Sequence, residues 1–273
     1  MLKAQVRLAL LDCNARKSEV HTRLNFEFYQ NKVKEFSSKR KIALSVFQPE
    51  KESRMPSLKD FDALILPDSS YTPTEDFMRK TKLGKMLSDF LPALVDSGKY
   101  SLCICFGLEA VASSFGTYPL DHYSHGIGKV FNFGYSTIFL SQQAKQDTLF
   151  SRYSDRSYVV FAHRYFINEL PEGAVHLASA FFNPIAAFKK GNTYCVQWQA
   201  DMDVIELLKS AEEHKKNPNL PSEPTLNRFS ILSKYRPEYD VQNRQIISLF
   251  LRKSSNRISA FLKLHCCNLF KRG

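Results

Sequence analysis

Cys105 stands where a buried strand is expected to turn sharply into a helix, and a thiol at such a turn can do chemistry. The apolar run Leu102–Cys105 predicts the strand, Phe106 and Gly107 the turn, and the next residues a helix ending near Gly116. A helix amino end lowers the pKa of a cysteine, and the following backbone amide can stabilise an oxyanion. The placement favours a nucleophile, while Cys-x-Gly alone also fits a buried core cysteine.

The elements that would position Cys105 form an alternating pattern of apolar runs and helical stretches. Apolar runs predict strands at Val6–Asp12, Ile42–Phe47 and Asp62–Pro67, with helices predicted over 24–36 and 75–95. Buried strands that alternate with helices indicate a parallel sheet covered on both faces. Between Gly126 and Val196 shorter strand candidates follow one another, which indicates mixed β structure added to that sheet.

The rest of the chain predicts a division into three parts. A helix is predicted over 201–214, then a loop that contains three prolines, then a helix over 242–251. We therefore expect a main domain over 1–215, a proline-containing linker over 216–240 and a basic helical extension over 241–273.

Four segments, in order, resemble class I glutamine amidotransferases, and most closely stand-alone domains similar to the glutaminase part of GMP synthase. DALILPDSSYTPTED resembles the loop that supplies an oxyanion-hole amide, and CICFGLEAVASSFG resembles the nucleophile motif. VVFAHRYFINELPEGAVHLASA resembles the family's strand, histidine and Leu-Pro-x-Gly turn, and TYCVQWQADMD resembles its Val-Gln-Phe-His-Pro-Glu motif. The resemblance covers about residues 5–215 and implies a flavodoxin-like α/β fold, with a mostly parallel sheet, flanking helices and a small added β region.

The same resemblance implies a catalytic triad that this sequence has lost. In the family a cysteine attacks the side-chain amide of glutamine, a histidine oriented by a glutamate carries protons, and a synthase partner uses the ammonia. The cysteine falls on Cys105, the histidine on Gln199 and the glutamate on Asp201. Because an amide does not titrate, Gln199 cannot take and return a proton near neutral pH. We therefore expect glutamine hydrolysis to be absent or very weak.

The substrate side of the site departs from the family as well. By resemblance, its residues are Asp68, Ser69, Phe106, Gly107 and Glu109. Asp68 occupies the glycine position of the oxyanion loop, where a carboxylate would repel a developing oxyanion, and Glu109 replaces a glutamine that helps to hold substrate. Two acidic groups beside the old pocket indicate a cationic or amide-bearing ligand, and two solvated carboxylates are the alternative.

Two functions of different classes remain open. The first is a protein without glutaminase activity that binds a protein partner or an amide-bearing ligand through the old pocket or its tail. The second is a Cys105-dependent amide hydrolase or transferase with a non-standard base. His163 is the candidate base because it follows a strand on the active-site side, and His122 and His125 lie in the loop after the nucleophile helix. Structural roles for these histidines are the alternative.

Composition indicates neither a cofactor nor a metal site. The six cysteines show no paired disulfide framework and no CxxC spacing, which is typical of reduced thiols in a cytosol-like compartment. No run of about 18 apolar residues is present, and the start of the sequence does not read as a signal peptide. We expect a cytoplasmic protein.

The net charge of +11 is concentrated at the C-terminal end, where seven Lys and Arg and no Asp or Glu follow Asp240. Apolar residues at helical spacing predict a cationic amphipathic helix over 256–270, which could make a peripheral membrane contact, strengthened by palmitate on Cys266 or Cys267. An ordinary terminal helix packed on the domain is the alternative. Nucleic acid is not an expected partner because no stacking platform accompanies the basic residues. Such a basic end is also compatible with a bacterial protein delivered into a host cell.

Overall fold

The computed structural model describes residues 5–14, 19–37, 42–121, 132–202 and 237–269, together with Glu206. The strands are β1 Val6–Leu11, β2 Ile42–Phe47, β3 Ala63–Leu66, β4 Tyr100–Ile104, β5 Leu120–Asp121, β6 Asn132–Leu140, β7 Arg156–His163, β8 Tyr165–Phe166, β9 Val175–Ala180, β10 Asn183–Lys190 and β11 Thr193–Val196. The helices are α1 Glu19–Ser37, α2 Pro49–Glu52, α3 Glu75–Lys80, α4 Lys82–Asp96, α5 Phe106–Ser114, α6 Gln142–Gln146 and α7 Pro237–Leu269.

Nine of these strands form one sheet in the order β2-β1-β3-β4-β11-β10-β9-β6-β7. The first five are parallel, and their order is that of flavodoxin-like folds. The remaining four extend the sheet by antiparallel pairing, while β5 and β8 form a separate antiparallel pair. The predicted fold class, a flavodoxin-like sheet with an added β region, is confirmed.

The central strands are apolar on both faces, as expected for a sheet covered by helices on each side. In β1, Leu8 and Leu10 face one core with α1 and the first half of α7, while Ala9 and Leu11 face the other core with α4 and α5. Alternate residues of a strand point to opposite faces. All four side chains are buried because helices cover both faces of β1. The alternation of strands and helices along the chain therefore produces one hydrophobic core on each face of the sheet.

The single helical pattern predicted over 75–95 is two helices that meet at Thr81. Thr81 is extended, with φ −87° and ψ 154°, and its side-chain oxygen accepts a hydrogen bond from the amide of Gly84 at 2.9 Å. Its own amide donates to the carbonyl oxygen of Phe77 at 3.1 Å and so closes α3. Threonine is a favoured N-cap, which explains why the chain turns here in spite of continuous helical periodicity.

Helix α7 covers the outer edge of the sheet. The amide of Tyr158 in β7 donates to Oε1 of Gln242 at 3.0 Å, and the amide of Val160 donates to Oδ1 of Asn243 at 2.9 Å. Side-chain amides thus satisfy backbone groups that an edge strand would otherwise leave open. The helix begins at Pro237, so the predicted limit at residue 240 falls within it; the three-part division remains a prediction.

Several predictions fall outside the described residues. These are most of the helix over 201–214, the proline loop, His122 and His125, and the side chains of the tail over 256–270. The backbone of α7 is helical as far as Leu269. No helix in the part of the chain that the structure describes is long and apolar enough to cross a membrane.

Candidate functional site

The predicted site residues follow three neighbouring parallel strands. Asp68 comes two residues after β3, Cys105 directly after β4, and Gln199 three residues after β11. Ligands of open α/β sheets bind outside the carboxyl ends of the strands, and all three residues stand at that edge. The sheet order therefore brings together residues that are far apart in the sequence.

Cys105 occupies a strained turn between β4 and α5. Its φ is 50° and its ψ is −105°, a backbone conformation that non-glycine residues rarely adopt and that costs about 1–3 kcal/mol. Its amide donates to the carbonyl oxygen of Val196 at 2.8 Å, and its carbonyl oxygen accepts from the amide of Glu109 at 3.1 Å. A β-carbon placed on Gly107 would lie 2.5 Å from the carbonyl oxygen of Leu66, so this close approach requires glycine.

Gln197 links the thiol to the neighbouring carboxyl group. Its Nε2 donates to Glu109 Oε1 at 2.9 Å and points to Cys105 Sγ at 3.7 Å. Gln197 is fully buried, and Cys105 is 5% exposed. The sequence prediction missed Gln197, although it lies two residues before Gln199 in the same motif.

Asp68 lies at the amide that follows the cysteine. The N–H of Phe106 donates to Asp68 Oδ1 over 3.5 Å, a long hydrogen bond. This N–H is the amide after the cysteine that the strand-to-helix turn predicts as an oxyanion donor. This amide therefore already contacts a carboxylate oxygen, which would compete with a developing oxyanion for the same N–H.

The loop that carries Asp68 is fixed to the end of β1. Asn14 Nδ2 donates to the carbonyl oxygen of Asp68 at 2.7 Å, and Asn14 Oδ1 accepts from the amide of Ser70 at 3.2 Å. Ser69 Oγ donates to the carbonyl oxygen of Cys13 at 3.1 Å. Ser69 therefore holds the loop, while Asn14 is a positioning residue that the sequence prediction missed.

Gln199 is held in place by hydrogen bonds of its backbone. Its amide donates to the carbonyl oxygen of Val160 at 2.7 Å, and its carbonyl oxygen accepts from Asn243 Nδ2 at 2.7 Å. Its side chain is 1% exposed, and neither Oε1 nor Nε2 has a hydrogen-bond partner among the described residues. Each unmatched buried polar atom costs about 1–3 kcal/mol.

Asp201 accepts a hydrogen bond from the hydroxyl group of Tyr29 in α1 at 2.9 Å. Burial raises the pKa of Asp201 to about 6, the Tyr29 hydrogen bond opposes that rise, and the charge of Asp68 adds to it. Burial also raises the pKa of Tyr29 well above its usual value, so its hydroxyl keeps its proton and donates. Asp201 thus has a tyrosine as its donor, where the resemblance predicts an imidazole.

Glu109 holds its proton unusually tightly. Burial raises its pKa to about 8, the hydrogen bond from Gln197 opposes the rise, and the charge of Asp68 adds to it. Glu109 and Asp201 therefore both respond to the same aspartate, which places three carboxyl groups in one electrostatic neighbourhood. Glu109 is mostly protonated at neutral pH.

His163, the predicted alternative base, ends β7 and is 4% exposed. Its Nδ1 lies 2.7 Å from the carbonyl oxygen of Tyr165, and its ring meets that of Phe161 edge to face at 5.3 Å. Because a carbonyl oxygen only accepts, Nδ1 carries a proton, and base chemistry at this residue would have to use Nε2. Its role as a base remains a prediction.

Within the described residues, no group of three or more His, Cys, Asp or Glu side chains is arranged to hold a metal ion. The side chains at the site supply carboxyl, amide, thiol and phenol groups. This set can bind hydrogen-bond donors and positive charge.

The fold and the elbow define an α/β protein with a cysteine at the carboxyl edge of a parallel sheet. The family model of glutamine amidotransferase class I matches residues 24–198. The chain therefore belongs to the class I glutamine amidotransferase family, and the resemblance found in the four motifs is confirmed. The match ends one residue before Gln199. None of the curated proteins compared with the chain matches it.

Solved structures of amidotransferases share this fold at low sequence identity. A glutamine amidotransferase from Thermotoga maritima superposes with a TM-score of 0.66 at 14% identity, covering 92% of this chain and 98% of its own. One from Methylobacillus flagellatus gives 0.60 at 14% identity, covering 95% and 94%. A GMP synthase-like protein from Thermoplasma acidophilum gives 0.51 at 17% identity, covering 78% and 98%.

Proposed function

We propose that this family member does not hydrolyse glutamine and acts by binding a partner or ligand through the former catalytic site. The observation that carries the proposal is the contact between the Phe106 amide and Asp68 Oδ1 at 3.5 Å. Any oxyanion formed on Cys105 would compete with a carboxylate for this donor. Loss of one oxyanion donor costs about 10²- to 10³-fold in rate.

The second support is the absence of a base at position 199. General acid–base catalysis contributes about 10²- to 10⁴-fold, and the amide of Gln199 cannot supply it. Asp201, which would orient a histidine, accepts from Tyr29. The two losses act on different parts of the reaction, so little glutaminase activity is expected.

The experiment is an ammonia-release assay with free glutamine, comparing the wild type with Cys105→Ala. The proposal expects the two proteins to be indistinguishable, because the thiol does not turn over glutamine. Ammonia release by the wild type that disappears in Cys105→Ala would refute it.

A second candidate is a Cys105-dependent enzyme that acts on another amide, supported by the retained elbow and its positive φ of 50°. Cys105 lies directly before the amino end of α5, and Gln197 Nε2 points to the sulfur at 3.7 Å. An electrophilic glutamine analogue should then label Cys105 in the intact protein, as measured by mass spectrometry. If His163 is the base, labelling should slow in His163→Asn; equal rates would rule out that role.

A cytoplasmic location with a peripheral membrane contact through residues 256–270 belongs to the same proposal, and its support is the basic, apolar sequence pattern. Flotation with anionic vesicles tests it by comparing the full chain with a variant that ends at residue 255. Equal flotation of the two proteins would refute the membrane contact.

A further inference from the structure

A cavity of about 230 Å³ adjoins the loop that follows β3, apart from the former catalytic site. Its walls come from α2, from that loop and from the two helices that meet at Thr81. They include Glu50, Tyr71, Phe77, Lys82, Leu83 and Met86. The ring of Phe77 meets that of Phe106 edge to face at 6.5 Å, so the cavity lies next to the elbow. Cys105 is not among the residues that line it.

The walls of this cavity are largely apolar. The rings of Tyr71 and Phe77 pack against each other with their centroids 5.3 Å apart. Leu83 is buried, and Met86 is half-buried with a thioether that packs favourably against aromatic rings. An apolar cavity of about 150 Å³ can take up benzene. The larger volume here therefore has room for an aromatic ring with a short side chain.

Glu50 places a carboxylate at this apolar cavity. The hydroxyl group of Tyr71 donates to it, with its oxygen 3.0 Å from each carboxylate oxygen, and so holds the carboxylate in place. In the part of the chain that the structure describes, this is the one donor to the Glu50 side chain, and no ion pair joins it. A carboxylate has about four acceptor positions, so Glu50 can accept further donors.

The walls favour a positive charge on the ligand. A carboxylate attracts a cation, and the face of an aromatic ring does so as well. Lys82 opposes this attraction, but it is the one exposed residue among those that line the cavity. Its ammonium group is therefore solvated, and its repulsion of a cation is screened. The half-buried Glu50 decides the sign of the charge that the cavity prefers.

We propose that this cavity binds a primary amine that carries an aromatic ring. The ring lies against Tyr71, Phe77 and Met86, and the ammonium group donates to Glu50. An ammonium group has three donors, which the open acceptor positions of Glu50 can receive. The inference goes beyond the proposed function, because it concerns a second site and holds whether or not Cys105 turns over glutamine.

The test compares phenethylamine with hydrocinnamate, which has the same ring and spacer but a negative charge, and with neutral phenethyl alcohol, all at equal ionic strength. Calorimetric titration and thermal unfolding of the full chain should show saturable binding and a rise in Tm with phenethylamine. The other two compounds should bind at least about tenfold more weakly, since they lack the charged hydrogen bond to Glu50. Because the chain has a net charge of +11, unspecific attraction favours the anion, so a preference for the amine reports this local site.

Two substitutions separate the charge of the cavity from its volume. Glu50→Gln keeps an acceptor for the Tyr71 hydroxyl group and should lower the affinity for phenethylamine at least about tenfold, because a charged hydrogen bond becomes a neutral one. Met86→Trp fills the cavity with an indole ring and should abolish binding without a change in charge. Asp155→Asn, which removes an exposed carboxylate directly before β7 at the far edge of the sheet, is the matched control and should bind as the wild type does.

Equal binding of the three compounds, a preference for hydrocinnamate or the absence of saturable binding would overturn the inference. Undiminished binding of phenethylamine by Glu50→Gln would do so as well. If Met86→Trp does not fold, Glu50→Gln, which keeps the shape of the side chain, still decides the outcome. Ammonia release from glutamine by the same preparation would refute the proposed function and leave this second site untouched.

Discussion

The substitution Glu109→Gln should stabilise the protein, and by an amount that depends on pH. Glu109 is 4% exposed, and its Oε1 accepts from Gln197 Nε2 at 2.9 Å. Glutamine has nearly the same shape and keeps this acceptor. The substitution therefore removes the ionisable group while preserving the contact.

The magnitude follows from the difference between two pKa values. The pKa of Glu109 is about 8 in the folded protein, against an ordinary value of 4.5. Below pH 4.5 the carboxyl is protonated in the folded and unfolded states, so it adds no pH dependence. Between pH 4.5 and about pH 8 the unfolded chain has lost this proton while the folded protein keeps it. The free energy of unfolding therefore falls by about 1.4 kcal/mol for each unit that the pH rises. At pH 7 this amounts to about 3 kcal/mol.

The assay is urea unfolding of wild type and Glu109→Gln between about pH 4.5 and 8.5. The two proteins should be equally stable at the acidic end, and the variant should gain about 3 kcal/mol over the wild type by pH 7. Asp76→Asn, a neutralisation at an exposed position, should show no comparable trend. A difference between Glu109→Gln and wild type that stays constant with pH would refute the reasoning.

Three further substitutions probe the contacts around the site. Gln199→Met replaces a buried amide that lacks partners in the described chain, and should raise the free energy of unfolding by about 1–3 kcal/mol; a loss of stability would contradict this. Tyr29→Phe removes the donor to Asp201 and should raise the carboxyl pKa above its value of about 6, as measured by NMR titration; an unchanged pKa would contradict it. Asn243→Ala leaves two buried backbone groups and one half-buried backbone group without their partner, and should cost more than about 2 kcal/mol in urea unfolding. Gln242→Ala loses one contact nearer the surface and should cost less than about half as much.

The parts of the site that could be predicted from the sequence are those with a local signal. The change from an apolar run to helical periodicity around Cys105 predicts the elbow, and the structure has it with a positive φ. The motif containing Gln199 lies directly after a predicted strand, which places it at the carboxyl edge of the sheet beside Asp68. The periodicity of apolar residues and the order of the elements were sufficient to place Cys105, Gln199 and Asp68 at one edge of the sheet.

The remaining contacts join residues that no local pattern connects. Tyr29 reaches Asp201 across 172 positions, and Asn243 reaches Val160 across 83. Both contacts depend on the position and orientation in which α1 and α7 pack against the sheet, and these cannot be read from a single sequence. The high pKa of Glu109 likewise arises from burial, so the residue type alone predicts an ordinary carboxylate. The break at Thr81 was missed because helical periodicity continues through a good N-cap.

The most direct test of the central claim is ammonia release from glutamine by Asp68→Gly/Gln199→His, measured beside the wild type. This double variant introduces a histidine at position 199 and removes the carboxylate from the Phe106 amide. The account predicts a gain of at least about 10²-fold over the wild type, abolished by adding Cys105→Ala. A wild type that already releases ammonia as fast as the double variant would contradict it.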